Sequence, residues 1–296
     1  MIGEIAGLLT AVAWSFTSIF FTLAAKRAGA VSVNLLRLLF AVVFLMIIHI
    51  FLFGSPVPVN AGANRWFWLG ISGFIGLVLG DTLLLFAFVS IGTRLSMLLL
   101  SLVPIISTFM AWIFLNENLR FIEIIGIVVT VFGIGWVVTE KNNPDKKIET
   151  KKLLWGISLG VSSAFGQALA LITAKKGMAG NFPALSATLM RILVAMIVFW
   201  GYSIIRGQAR TTLALLRQKN IFRPILGGSL FGPVIGIWLS LIAIKYANVG
   251  IASTLMALPP ILLIPLTHSF FKEKITIRSV VGTFLAMAGV AVIFLT

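Results

Sequence analysis

Apolar residues fall in runs of about twenty, separated by short polar stretches; that is the length an α-helix needs to cross the hydrocarbon core of a bilayer. The runs predict ten helices, at about 2–24, 31–53, 66–89, 94–115, 121–139, 153–174, 183–205, 223–245, 250–271 and 276–296. The one clear polar linker, Glu140–Lys152, contains Asn143-Pro144 and divides five helices from five. The expected organisation is therefore a first unit at 1–139, a linker at 140–152 and a second unit at 153–296. An odd number of crossings turns the second unit upside down, so the expected fold is an all-α membrane protein of ten helices in two inverted five-helix repeats.

Small residues carry the duplication. At an offset of 156, Gly76 meets Gly232, Gly80 meets Gly236, Pro104 meets Pro260, Glu117 meets Glu273, Gly126 meets Gly282 and Gly133 meets Gly289. Upstream the offset drifts: Gly7, Phe16 and Lys26 pair with Gly156, Phe165 and Lys175 at 149, and Arg37 pairs with Arg191 at 154. The two G-x-x-x-G faces, and the glycines seven residues apart in helices 5 and 10, are expected to let helix backbones approach closely. Prolines fall inside helix 4 (Pro104), helix 8 (Pro233) and helix 9 (Pro259, Pro260, Pro265). Proline frees a backbone carbonyl and permits a bend, which in lipid is tolerated beside a neighbour or a cavity. Pro104, Pro259 and Pro260 are thus candidate hinges, with a passive kink as the alternative.

Composition removes several classes of function. Of 296 residues, 59% are hydrophobic and 10% charged, too little charge for a water-facing surface. No cysteine and only two histidines, His49 and His268, leave no expected metal site, thiol nucleophile or cofactor anchor. The net charge of +15 sits in the loops, as the positive-inside rule expects, and does not imply a nucleic-acid partner. Counting lysines and arginines gives sixteen on the side of loops 1–2, 3–4, 5–6, 7–8 and 9–10. The other side has five (Arg65, Arg120, Lys175, Lys176, Lys245). The richer side is expected to face the cytoplasm, with both termini outside. The N-terminal run lacks a basic start and is matched by the first helix of the second unit, so it reads as a membrane helix and not as a cleaved signal.

Motif order then points to a family. Val103-Pro104, the Phe114-Leu115-Asn116-Glu117-Asn118-Leu119 stretch, Ile125-Gly126 and Phe132-Gly133 resemble the end of an EamA domain. The same series recurs as Leu258-Pro259-Pro260, Phe270-Phe271-Lys272-Glu273-Lys274-Ile275, Gly282 and Gly289. Ala13-Trp14-Ser15 resembles the start of that domain, and Leu36-Arg37-Leu38 and Met190-Arg191-Ile192 resemble the arginine of its second helix; Ser163-Ala164-Phe165 departs from the tryptophan motif. The resemblance covers the whole chain as two domains. It implies the drug/metabolite transporter superfamily, with ten helices, inverted repeats and a cavity between the halves. Some members are described with both termini in the cytoplasm, opposite to the charge count above.

Asp81 is the sharpest candidate for chemistry, being one of two aspartates and about 12 Å from the nearer end of helix 3 at 1.5 Å per residue. A charge at that depth is expensive and expects a partner; Arg37, at similar depth in helix 2, is the expected one. The pair reads as structural, as a substrate-amine contact, or as a proton-coupling site. Its counterpart in the second half is Ile237, so the role is asymmetric. Arg191 has no obvious acid and is read as a contact for a substrate carboxylate or phosphate, or as a snorkelling side chain. Gln167 is read as a substrate contact or a helix link, and Trp14, Trp238 and Phe165 as walls of an apolar pocket or as packing. Trp66, Trp68 and Trp155 read as residues of the interfacial belt, and Glu117 and Glu273 as partners of loop lysines.

A single intramembrane aspartate excludes an aspartyl protease, and no H-E-x-x-H or nucleotide-binding loop is present. The expected protein is a multi-pass permease of a bacterial inner membrane, a monomer or weak homodimer. It is expected to export a small metabolite, amino acid or drug-like solute by alternating access between helices 1, 3, 4, 6, 8 and 9. The alternative is a flippase for lipids or lipid-linked sugars.

Overall fold

A computed structural model describes residues 1–115, 121–138, 149–180, 182–247, 252, 255–272 and 275–295. Its apolar helices are α1 (Ile2–Ala28), α2 (Ala30–Phe53), α3 (Ala63–Ile91), α4, α5 (Phe121–Val138), α6 (Thr150–Gly177), α7 (Ala184–Ile205), α8 (Lys219–Tyr246), α9 (Pro259–Phe271) and α10 (Ile277–Leu295). Helix α4 has two arms, Thr93–Leu100 and Leu102–Leu115. Among the described residues, six helices (α1, α2, α3, α6, α7 and α8) are long and apolar enough to cross a membrane, and the other four are shorter apolar helices. No strand occurs among the described residues. Glu117, Glu273 and most of the linker, including Asp145, lie outside them.

Helices pack across the halves more than within them. Helix α1 lies along α8, α6 along α3, α2 against α7, and α5 against α10. The G-x-x-x-G faces make the first two contacts. A Cβ on Gly76 would sit 2.7 Å from the Ala170 Cβ, and one on Gly232 would sit 2.7 Å from the Thr17 Cγ2. Glycine therefore lets α3 reach α6 and α8 reach α1 at a separation that any side chain would widen. Gly133, Gly282 and Gly289 do the same for α5 and α10, where backbone meets backbone.

Contacts at the helix ends sort into the two expected sides. Arg27 donates to the Asn220 carbonyl, Lys26 lies over the Phe271 ring, and Arg278 donates to the Trp136 carbonyl on one side. On the other, Arg65 donates to the Ala179 carbonyl and Lys176 stands 3.9 Å above the Trp68 ring. His49, buried at the second side, bonds the Ser55 carbonyl and the Ser186 hydroxyl.

Three departures from the expected helices matter. First, α3 and α8 each contain a π-helical turn, Phe74–Gly80 and Leu230–Gly236, separated by the same 156 residues as the sequence repeat. The N–H of Asp81 reaches the Gly76 carbonyl, and that of Ile237 reaches the Gly232 carbonyl, an i→i−5 bond in each case. Second, helix 4 is broken at Ser101, three residues before Pro104. The ring of Pro104 excludes the carbonyl four residues back, so the α-helical ladder fails upstream of the proline and not at it. The Ser101 hydroxyl donates to the Leu98 carbonyl (2.5 Å). Third, Pro259 and Pro260 begin α9 and do not bend its interior, the first-turn position where a missing N–H costs nothing. The hinge expected at these prolines is thus a turn that ends at Leu258, the counterpart of the break at Ser101–Leu102.

Most hydroxyls buried on α1 are satisfied by its own backbone, Thr17 excepted. Thr10 donates to the Ala6 carbonyl, Ser15 to Ala11 and Thr22 to Ser18, each at 2.7 Å. Across the halves, the Ser163 hydroxyl donates to the Gly80 carbonyl (2.8 Å). Ser163→Ala is expected to cost about 0.6–1.7 kcal/mol, the range of helix-to-helix hydrogen bonds in lipid. Thermal denaturation in detergent would read this as a melting temperature lower by a few degrees.

Candidate functional site

The π turn of α3 opens backbone carbonyls, and side chains from two neighbouring helices fill them. Asn34 on α2 donates to the Leu77 carbonyl (2.9 Å) and to the Thr82 hydroxyl (2.7 Å). From α6, Gln167 donates to the Gly76 carbonyl (3.2 Å). The turn ends on Asp81, so the carboxylate leaves the helix where these side chains converge. Such turns recur at functional positions in helices.

Asp81 is held from both sides. One carboxylate oxygen accepts from Gln167 Nε2 (2.6 Å) and the other pairs with Arg37. Arg37 Nε donates to Asn34 Oδ1 (2.6 Å), and its guanidinium lies 5.5 Å from the Phe21 ring centroid. The Arg37–Asp81 pair expected from depth alone is therefore present, with Arg37 5% and Asp81 14% exposed. Gln167 joins it as a helix link and contacts the acid of the opposite half. Asn34, three residues before Arg37 and on the same helical face, was not singled out by sequence; its signal is a lone amide in an apolar run.

The pair forms one wall of a central cavity of about 170 Å³. Both halves contribute: Trp14, Thr17, Ser18 and Phe21 from α1, Leu84, Leu85 and Phe88 from α3, Met97, Leu100, Ser101, Val103 and Pro104 from α4, Gln167 and Leu171 from α6, Ile237 and Ser240 from α8, and Met256, Ala257, Pro259 and Pro260. Helices α2 and α7, outside the set of helices expected to surround the cavity, each supply one residue, the candidates Arg37 and Arg191. The candidate hinges Pro104, Pro259 and Pro260 all face the cavity.

Arg191 is 5% exposed, and its Nε has no hydrogen-bond partner among the described residues. It does not snorkel; it faces the cavity beside Gly76, where an added Cβ would lie 3.6 Å from Nη2. Trp14 also lies on the wall, its indole against Gly236. Trp238 does not line the cavity, contrary to expectation. Ile237 takes the facing position, and the next residue, turned about 100° further round the helix, carries Trp238 into the packing between α8 and its neighbours. Phe165 is likewise turned outward, 52% exposed on the surface of the bundle. No cluster of His, Cys, Asp or Glu able to hold a metal ion occurs among the described residues.

Chemically, the cavity offers an apolar wall with a few convergent polar groups, the usual make-up of a small-molecule site. Its three charges sum to one positive charge, because Arg37 and Asp81 neutralise each other.

The sequence profile of the EamA-like transporter family matches the chain twice, over residues 1–139 and 154–295. A solved structure titled "Crystal structure of protein" superposes with a TM-score of 0.63 at 13% identity, covering 99% of this chain and 96% of its own, which shows a shared fold. None of the curated proteins matches.

Proposed function

This chain belongs to the EamA-like transporter family, and from that premise we propose that it is a secondary carrier whose central cavity takes a small solute through the membrane by alternating access. In this reading all ten apolar helices cross the bilayer as two inverted repeats, and the protein exports a metabolite, amino acid or drug-like molecule across a bacterial cytoplasmic membrane. The observation that carries it is the cavity itself, walled by both halves and flanked by helix breaks at matching positions, Ser101 and Ala257. Rocking one half about the other needs flexible points at equivalent places in each repeat, and a site at their junction. A volume of about 170 Å³ fits a small solute. Asp81 is the only carboxylate on that wall among the described residues and so the proposed coupling group; its protonation would release Arg37. If Asp81→Asn leaves pH-dependent transport intact, the coupling role is wrong.

The chain has no cysteine, so one introduced thiol reports without background. Ser101→Cys, on the cavity wall, is expected to react with a membrane-impermeant methanethiosulfonate in right-side-out and in inverted vesicles, without an ion conductance. Reaction from neither face, or a conductance, defeats the carrier reading.

A further inference from the structure

The two repeats carry the same arginine in different surroundings. In the first, Arg37 is held by the Asn34 amide and the Asp81 carboxylate. In the second, the offset of 154 that brings Arg37 onto Arg191 puts Thr188 in the place of Asn34, and the Thr188 hydroxyl is occupied by its own helix at Ala184 (2.8 Å). The offset of 156 puts Ile237 in the place of Asp81. Arg191 therefore has no hydrogen-bonded amide or acid of its own; the charge of Asp81 reaches it across the cavity, but that carboxylate is bonded to Arg37 and Gln167. It is buried, fixed on the cavity wall, and its Nε is unpaired among the described residues.

A buried guanidinium without a hydrogen-bonded counter-ion is a high-energy arrangement, and bonding it to a charged acceptor recovers part of the lost solvation. A guanidinium presents its donors as a planar fork that matches a carboxylate or phosphate and does not match an amine or an uncharged ring. Arg191 reaches the same cavity as the Arg37–Asp81 pair, whose remaining wall is mostly apolar.

We propose that the solute is a small organic anion, an apolar body carrying one carboxylate or similar oxyanion, whose charged end is bound by Arg191 in place of the acid that the second repeat lacks. This rests on the carrier reading above, and deepens it by naming the substrate class. The apolar body lies toward Trp14 and Phe88, and the Arg37–Asp81 pair stays closed while the anion is bound.

The test uses three probes of one shape, phenylacetate, phenylacetamide and phenethylamine, on the purified protein in detergent. Phenylacetate is expected to raise the melting temperature by about 3 °C at tenfold excess over its dissociation constant, and the other two by less than 1 °C. Arg191→Gln removes the shift, Arg191→Lys reduces it, and Arg206→Gln, an exposed surface control, keeps it. Should Arg191→Gln fail to fold, Arg191→Lys and the ranking of the three probes on the wild type still decide. Equal shifts from the three probes, no shift from any, or an anion effect that survives in Arg191→Gln overturns the proposal. Loss of anion preference with Ser101→Cys labelling intact removes this inference alone; loss of labelling removes the carrier reading.

Discussion

Arg37→Gln is expected to lower stability by about 3–5 kcal/mol, more than any other single substitution on the cavity wall. The guanidinium is not decoration on a surface; it is 5% exposed and neutralises a carboxylate that is 14% exposed. Removing it strands Asp81 with only Gln167 as a donor, and releases Asn34 from its bond to Arg37 Nε. Asp81→Asn is expected to be nearly as costly, because Arg37 then faces the same cavity as Arg191 without a counter-ion. The diagnostic variant is the double one. With both charges gone the amides can hydrogen-bond to each other, so Arg37→Gln/Asp81→Asn should be milder than either single change. Unfolding titrations of the four proteins give the cycle, and costs that simply add would show that the two side chains are not energetically a pair.

The second large effect lies away from the cavity, where α5 meets α10. A Cβ at Gly133 would stand 2.5 Å from the Ala286 nitrogen and 2.8 Å from the Gly282 oxygen, and backbone atoms cannot rotate away. Gly133→Ala is therefore expected to push α10 off α5 and cost about 1–3 kcal/mol, as overpacking does. Two residues on, a Cβ at Gly135 meets nothing within 4 Å, and Gly135→Ala should be neutral or stabilise by up to about 1 kcal/mol through helix propensity. Opposite signs two residues apart are the expected result in a denaturation assay. Equal signs would mean that the helices do not touch along this glycine face. Neither helix lines the cavity, so ligand-induced stabilisation should survive in both variants.

Much of this was written in the order of residues. Apolar run lengths gave the helices, and the 156-residue offset of glycines paired the close-packed faces that the structure brings to α1 and α6. The Arg37–Asp81 contact followed from the depth of two charges on neighbouring helices. What the sequence hid has a common physical cause. A π turn differs from an α turn by one residue in its hydrogen bonding and needs no special composition, so Gly76 and Gly80 read as packing alone. Where Ile237 and Trp238 point depends on rotation about α8, which a list of apolar residues does not fix. The break at Ser101 was assigned to Pro104 because the proline is visible and the carbonyl it excludes is not. Arg37 and Arg191 were legible as lone charges in apolar runs, although α2 and α7 lend the cavity nothing else.

The packing across the halves has a further consequence for how the chain is made. Helix α1 leaves the ribosome early, yet its main partner, α8, follows more than two hundred residues later, a delay of roughly 10–50 s at ordinary elongation rates. During that interval α1 sits in lipid with its small-residue face uncovered. The hydroxyls of Thr10, Ser15, Ser18 and Thr22 are bonded to their own helix, which leaves Thr17, at the Gly232 contact, as its unbonded buried hydroxyl among the described residues. The Asn34–Arg37–Asp81–Thr82 contacts likewise close within the first repeat, before the second is synthesised. The buried ion pair is thereby complete within the first half, and the excess positive charge of the cavity arrives only when α7 brings Arg191.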